Sequence, residues 1–220
     1  QKALDNGLQC QVTLDDRVKE HKHTARIILD AQGVPENDIQ SLWDRLEDDY
    51  FVRFKPAQIA WHTLEILNGE KSVLADNSDA LVVKANDNSA KGGTEILIYG
   101  RDRKALFAQV ASVIDSRNCS IHDAHITVTR DGYVFDSILV LENDGSRLSG
   151  ENRTKSLENA ILSQLEKPGR AHDNKRKLSR QMRQLDVPTK VRFFTLNDES
   201  TLIELEALDA PGILAKIGHA

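Results

Sequence analysis

Cysteine is nearly missing from this 220-residue chain, occurring only as Cys10 and Cys119. Two isolated thiols cannot build a disulfide framework, so both are expected to be reduced, Cys119 as a small core residue, in a cytoplasmic protein. No apolar run approaches the length that spans a bilayer, so no membrane partner is expected. The opening QKALDNGLQC has no apolar segment behind a basic start, so no signal peptide is expected; without an initial Met it reads as an excised piece. An excess of positive charge is also absent. Lys and Arg total 29 against 34 Asp and Glu, a net charge of -5, and no broad nucleic-acid footprint is implied. There is no nucleophile–base pair, phosphate-cradling glycine loop or metal-ligand cluster, so no catalytic residue, metal site or cofactor is expected in these residues.

What is present is a repeat. Thr94–Ala111, TEILIYGRDRKALFAQVA, aligns without a gap on Thr201–Gly218, TLIELEALDAPGILAKIG. Asp102 falls on Asp209, Ala105 on Gly212, Leu106 on Ile213 and Ala108 on Ala215. Each copy reads as a strand, a turn with an aspartate, and an amphipathic helix, and the second stops inside its helix.

Residues 1–74 read as helical. Val12 to Ala31 has Leu14, Val18, Ile27 and Leu29 as apolar anchors. Val34-Pro35 opens a second helix, with Ile39, Leu42, Trp43, Leu46 and Tyr50 as its stripe. Lys55-Pro56 opens a third, which Asn68-Gly69 is expected to end. Residues 75–93 form a linker of turn formers with room for a short strand at Leu81-Val82-Val83. From Thr94 the pattern becomes mixed: strand Glu95–Tyr99, helix Arg103–Ser116, strand Ser120–Thr129, an Asp131-Gly132 hairpin turn, strand Tyr133–Leu141, helix Glu151–Glu166, a basic polar linker over 167–189, and strand Lys190–Leu196. The order βαββαβ is the split βαβ plan of a ferredoxin-like domain, and right-handed crossovers put both helices on one face of the sheet. The fold class is therefore α+β: a helical N-terminal segment, one ferredoxin-like domain over 94–196, and the start of a second over 197–220.

The turn of the second copy, Leu208-Asp209-Ala210-Pro211-Gly212, has its own chemistry. Pro211 presets the helix start, Gly212 admits a close neighbour, and Asp209 either caps the helix or meets an ammonium group. The helix N-terminus favours a carboxylate, so the pair suits an amino acid. Capping alone is the plainer explanation. In the first copy Lys104 and Ala105 replace the Pro-Gly pair, while Asp102 is kept.

The repeat and the βαββαβ order together resemble the ACT domain, a module that usually senses amino acids. More specific stretches extend the resemblance: Gly92-Gly93-Thr94-Glu95-Ile96, Leu106-Phe107-Ala108, Arg117-Asn118, Ile121-His122-Asp123-Ala124, Thr129-Arg130-Asp131-Gly132 and Val140-Leu141-Glu142, with Tyr50-Phe51-Val52-Arg53 and Gln58-Ile59-Ala60-Trp61-His62 upstream. These look like the first ACT domain, and the helices before it, of the bifunctional uridylyltransferase/uridylyl-removing enzymes of the nitrogen regulatory protein PII. The resemblance implies a parent enzyme that uses Mg2+, acts on PII and answers to glutamine, with its catalytic carboxylates outside these residues. It implies ligand contacts at Asp102, Ala105 and Leu106 in the first copy and at Asp209, Gly212 and Ile213 in the second. Asn118, Ser120, His122 and Asp123 would form a second wall. Each copy would then supply a half-site.

Plainer readings stand beside these. His122-Asp123 spells a phosphohydrolase dipeptide but has no companion His and Asp, and His122 is expected to be a ligand contact or hydrogen-bond partner. His21 and His23, two apart on a helix, point away from each other and read as a solvated face. Trp61-His62 reads as core plus surface. The Arg170–Arg183 stretch has no interleaved aromatics and reads as a solvated linker. Two alternative readings are a first ACT unit that serves purely for docking and a segment that belongs to another amino-acid-controlled enzyme. The strand Thr201–Leu208 offers a free edge, and dimerisation through it is expected.

Overall fold

The computed structural model describes residues 2–76, 81–87, 92–129, 131–166, 188–197, 200–207 and 213–217. Four helices come first: α1 (Lys2–Asp30), α2 (Glu36–Trp43), α3 (Asp48–Arg53) and α4 (Pro56–Asp76). Pro35 holds the N-cap of α2 in an extended conformation, φ -63° and ψ 134°. The expected Ile39–Tyr50 stripe is divided between α2 and α3, but its members share one core. On α1, Val18 and Leu29 are buried as expected with Ala25, while Leu14 and Ile27 face solvent. His21 is not part of a solvated face: its Nδ1 lies 2.7 Å from the Phe51 carbonyl oxygen, tying α1 to α3.

The strands are β1 (Val82–Asn86), β2 (Thr94–Arg101), β3 (Cys119–Val128) and β4 (Tyr133–Glu142), followed by β5 (Lys190–Asn197) and β6 (Ser200–Glu206). The first four make one antiparallel sheet in the order β1-β2-β4-β3. Helices α5 (Leu106–Ser116) and α6 (Glu151–Leu165) cover one face. There Ile96, Ile98, Val134, Ile138 and Val140 meet Leu106, Val110, Val113, Leu157 and Ile161. This is the expected α+β, ferredoxin-like layering.

The edge place beside β2, expected for Lys190–Leu196, is held by β1 instead. β1 reaches it through the short connection 87–93, which costs less loop-closure entropy than a return across 167–189. β5 pairs with its sequence neighbour β6 in a separate hairpin, the pairing with the shortest loop to close. Lys190 and Arg192 stand opposite Glu206 and Glu204, at 3.3 Å and 3.0 Å. The opposite face of the hairpin carries Val191, Phe193, Ile203 and Leu205, all exposed. The short α7 (Ile213–Ile217) lies against α5.

The second face of the sheet is buried too. Leu97, Tyr99 and Phe135 share a core with Trp43, Tyr50, Phe51, Phe54, Ile59 and Ile66 of the helical layer. Burial on both sides accounts for the unbroken apolar run Ile96-Leu97-Ile98-Tyr99. A polar clamp closes the rim. Arg45 Nη1 donates to Glu70 at 2.9 Å and lies 3.6 Å from Asp131 in the β3–β4 turn, above the stacked rings of Tyr99 and Tyr133.

Helix α4 does not end at Gly69 but runs on to Asp76. Gly69 is where β1 crosses: a Cβ there would lie 2.3 Å from Val82 Cγ2 and 3.1 Å from Val82 Cβ. Gly69→Ala should therefore lose stability although alanine favours helix by about 1 kcal/mol, because overpacking costs about 1–3 kcal/mol. A urea titration should give a net loss on the order of 1 kcal/mol, and a gain would mean β1 yields easily. No helix among the described residues is long and apolar enough to cross a membrane.

Candidate functional site

Two places in the fold bring polar chemistry together. The first lies in the seam between the helical layer and the sheet. β2 puts Glu95 on the same face as Leu97 and Tyr99, and β4 puts Ser137 beside it. α4 brings Gln58 and His62 one turn apart, and α3 brings Tyr50. The Glu95 carboxylate accepts from Ser137 Oγ at 2.6 Å, from Gln58 Nε2 at 2.9 Å and from His62 Nε2 at 3.0 Å. His62 Nδ1 and the Tyr50 hydroxyl are 3.0 Å apart. His62 is fully buried and Glu95 is 1% exposed. A carboxylate offers only acceptors, so Nε2 of His62 carries the proton between them. Burial alone would push the Glu95 carboxyl up, but the His62 hydrogen bond and charge, with the Ser137 and Gln58 donors, hold it down at about 2. Burial pushes the Tyr50 hydroxyl well above its ordinary range, helped by the Glu95 charge. The expectation that His62 is a surface residue is thus overturned: Trp61 is the half-exposed member of the pair.

The second place is the turn from β2 into α5. Asp102 is exposed, and its backbone N–H points to the Gly132 carbonyl at 3.5 Å. Ala105 is left-handed, φ 57° and ψ 29°, in the position where the second copy has a glycine. The N-cap residue Ala105 makes no side-chain cap, and the first α5 amide, Leu106 N–H, donates to the Arg103 carbonyl at 3.2 Å. Leu106, also singled out from sequence, is buried and anchors the helix start.

The expected second wall stands elsewhere. Asn118 is left-handed at φ 59° just beyond α5, and Ser120, His122 and Asp123 are exposed on β3. Ser120 pairs with Leu141 on β4, whereas the Asp102 end of β2 pairs near Val134. Seven strand positions separate the two groups, about 23 Å at roughly 3.3 Å per residue. One ligand cannot touch both within one module. His122 falls in the register shift between Ile121 and Asp123, a bulge that turns it out of the ladder. Ile213 opens α7 and is half-buried. Asp209, Pro211 and Gly212, and the basic stretch Arg170–Arg183, lie outside the described residues.

Sequence reasoning missed Asp136. It sits on β4 opposite Ile98 of β2 and Ile126 of β3, fully buried, on the face that carries α5 and α6. Burial pushes its carboxyl up to about 7; the Thr127 N–H opposes this without reaching hydrogen-bond geometry, and the Asp102 charge adds to the rise. The available signal was an acid in the otherwise apolar run Val134-Phe135-Asp136 of a central strand. Among the described residues no group of three or more His, Cys, Asp and Glu side chains converges as a metal site would require.

Residues 13–65 match the family model described as the uridylyltransferase GlnD fifth domain, which places it on α1–α4. The whole chain is similar to curated bifunctional uridylyltransferase/uridylyl-removing enzymes. It is 36% identical over 219 residues to that of Vibrio cholerae, covering 99% of this chain and 24% of the relative. Identity is 35% with the Photobacterium profundum protein, over the same shares. With the Vibrio campbellii protein it is 36% over 220 residues, 100% of this chain and 24% of that one. The chain thus spans about a quarter of the length of the curated relatives it matches. No solved structure matches it.

Proposed function

We propose, on the premise that this chain is a segment of the bifunctional uridylyltransferase/uridylyl-removing enzyme family, that it is the regulatory, amino-acid-responsive segment of such an enzyme. The parent attaches uridylyl groups to PII and removes them, using Mg2+ held outside these residues, in the cytoplasm. Glutamine is the effector, and this segment carries no catalytic residue of either reaction. The observation that carries the reading is the turn into α5: a kept aspartate, a left-handed residue at the glycine position and a helix N-terminus whose N-cap residue, Ala105, makes no side-chain cap. Asp102 offers a charge to an ammonium group, and the α5 amides offer donors to a carboxylate. Control works by linkage: glutamine binds one arrangement of the regulatory units more tightly and shifts the balance between the two activities. The exposed apolar face of the β5–β6 hairpin supports the further proposal that two chains associate there.

Calorimetric titration of L-glutamine into the full-length protein should show saturable binding that Asp102→Ala weakens by roughly tenfold or more, the scale of a lost charged hydrogen bond. Absence of heat from the wild type would refute the assignment.

A specific observation favours a second reading for this copy. The two walls stand far apart on the sheet, and both faces of its central strands β2 and β4 are already buried. The unit would then only dock the helical layer. In that case glutamine binds the full-length protein and Asp102→Ala changes nothing.

A further inference from the structure

Arg45 stands between two carboxylates that belong to different layers. It lies in the link between α2 and α3, and its guanidinium donates to both carboxylate oxygens of Glu70 on α4, at 2.9 Å and 3.3 Å. The same Nη1 lies 3.6 Å from Asp131 Oδ2, in the turn between β3 and β4. The Glu70 pair is bidentate and firm, whereas the Asp131 contact is marginal. The guanidinium is held over Tyr99 and Tyr133, 5.7 Å and 5.9 Å from their ring centres, and its side chain is 23% exposed. Charges act more strongly there than in open water. A marginal ion pair in such a place is made or broken by a small shift of one partner.

The residues that carry Asp131 are tied into one piece. Tyr133 N–H donates to Thr129 Oγ1 at 3.0 Å, Thr129 N–H donates to the Tyr133 carbonyl at 2.7 Å, and Gly132 N–H donates to the Thr129 carbonyl at 3.0 Å. Asp131 Oδ1 accepts from Thr129 Oγ1, and Oδ2 is the oxygen that faces Arg45. Gly132 is left-handed at φ 79°, and its carbonyl accepts the Asp102 N–H at 3.5 Å. Asp131 and Gly132 are neighbours in the chain, so what moves the Gly132 carbonyl also moves Asp131. Strand register sets this up. Arg101, the last residue of β2, stands opposite Tyr133, the first of β4, which brings the turn into α5 beside the β3–β4 turn. Other polar links between the layers stand elsewhere: His62 and Gln58 meet Glu95 in the interior, and Glu65 meets Lys84 on β1. The Arg45–Asp131 link is at the end of the sheet where Asp102 stands.

We infer that Arg45 is the residue through which the helical layer responds to an occupant of the Asp102 turn. The inference rests on the amino-acid reading of that turn given above. With the turn empty, both contacts along the path stand near their limits, 3.5 Å from Asp102 to Gly132 and 3.6 Å from Asp131 to Arg45, and Arg45 belongs mainly to Glu70. A ligand held by Asp102 fixes the residue whose N–H reaches Gly132. The fixed turn shortens that hydrogen bond, and the tied hairpin turn carries Asp131 onto Arg45. Arg45 then bridges Asp131 and Glu70 and fastens α4 to the end of the sheet. The guanidinium thus has two arrangements, held by one acid or by two, and the ligand favours the second. α4 also supplies Gln58 and His62 to Glu95, so a change at Glu70 reaches the helix that holds the seam.

The test is hydrogen exchange of the full-length protein with and without L-glutamine, beside calorimetric binding. In the wild type, glutamine should slow exchange at residues 102–106, at Gly132 and Tyr133, and by roughly fivefold or more in α4 around Glu70. Two variants cut the path. Arg45→Met keeps an apolar stem over the tyrosine rings and removes the charge. Asp131→Asn is nearly isosteric and leaves the Arg45–Glu70 pair in place, so a merely structural role for Arg45 predicts a wild-type response from it. Both variants should still bind glutamine and slow exchange at the turn, while the slowing in α4 falls below about twofold. The glutamine-driven change in the ratio of uridylyl transfer to removal should be roughly 5–150-fold in the wild type and below about twofold in both variants. If glutamine binds the wild type without slowing exchange in α4, or Asp131→Asn responds as the wild type does, this inference is overturned while the amino-acid reading survives. If glutamine does not bind the wild type at all, both fall.

Discussion

His62→Ala is expected to lower the unfolding free energy by about 3 kcal/mol, the cost of leaving a buried carboxylate short of a hydrogen-bond donor. The loss exceeds that of one hydrogen bond because of what remains. Glu95 would stay 1% exposed in the seam with its strongest donor gone, and the Tyr50 hydroxyl would lose its partner as well. Urea denaturation near neutral pH measures it, and a loss below about 1 kcal/mol would mean that water replaces the imidazole. The pH dependence follows from the depressed Glu95 carboxyl at about 2. A carboxyl held below its unfolded value stabilises the fold fully above that ordinary value, near 4.5, and loses this as pH falls through about 2. The amount at stake is on the order of 3 kcal/mol. Acid unfolding of the wild type should show this steep loss, and His62→Ala should flatten it. A cycle with Glu95→Gln then measures the coupling, which should be well above the scatter of independent sites.

Phe135→Ala is expected to cost about 3–5 kcal/mol. The ring is fully buried on the sheet face that meets the helices. Its centroid lies 4.9 Å from Tyr50, 5.1 Å from His62 and 5.9 Å from Phe54. Removing it opens a cavity where both layers contribute walls, so neither can close it alone. Two probes separate the layers. Trp43 and Trp61 report on the helices by fluorescence, and far-ultraviolet circular dichroism reports on the whole. In the wild type both transitions should coincide, since one core joins α1–α4 to β2 and β4. In Phe135→Ala both should move to lower urea together. Separate midpoints in the wild type would show that the seam is a contact between independent units.

The layering was legible in the residues because periodicity and turn chemistry are local. Pro35 and Pro56 mark helix starts, Asp131-Gly132 marks the hairpin, and the alternating strands around it pair as expected. The misplacements have non-local causes. Asn68-Gly69 has the form of a helix end, yet the glycine serves the close crossing of β1 at Val82. The strand expected to complete the sheet pairs instead with its sequence neighbour β6, facing Glu206 and Glu204 with Lys190 and Arg192. His62 looks like a surface histidine until Glu95, thirty-three positions away, is folded onto it. Of the candidate site, the turn at Asp102–Leu106 was readable from the repeat. Its distance from Ser120 and His122 was not, because strand register decides it. Asp136 was hidden by its neighbours, which announce a core strand and nothing else.

The burial of both faces of β2 and β4 has a consequence for sequence change. In a sheet with one wet face, every second position drifts freely and polar replacements accumulate there. Here Ile96 to Tyr99 and Val134 to Val140 have no wet side. A saturation library over these strands should therefore lack the usual two-residue rhythm of tolerance, with Glu95, Ser137 and Asp136 constrained as tightly as their aliphatic neighbours. Variation in binding behaviour among related chains is then confined to the strand edges and the turns at the ends of the sheet.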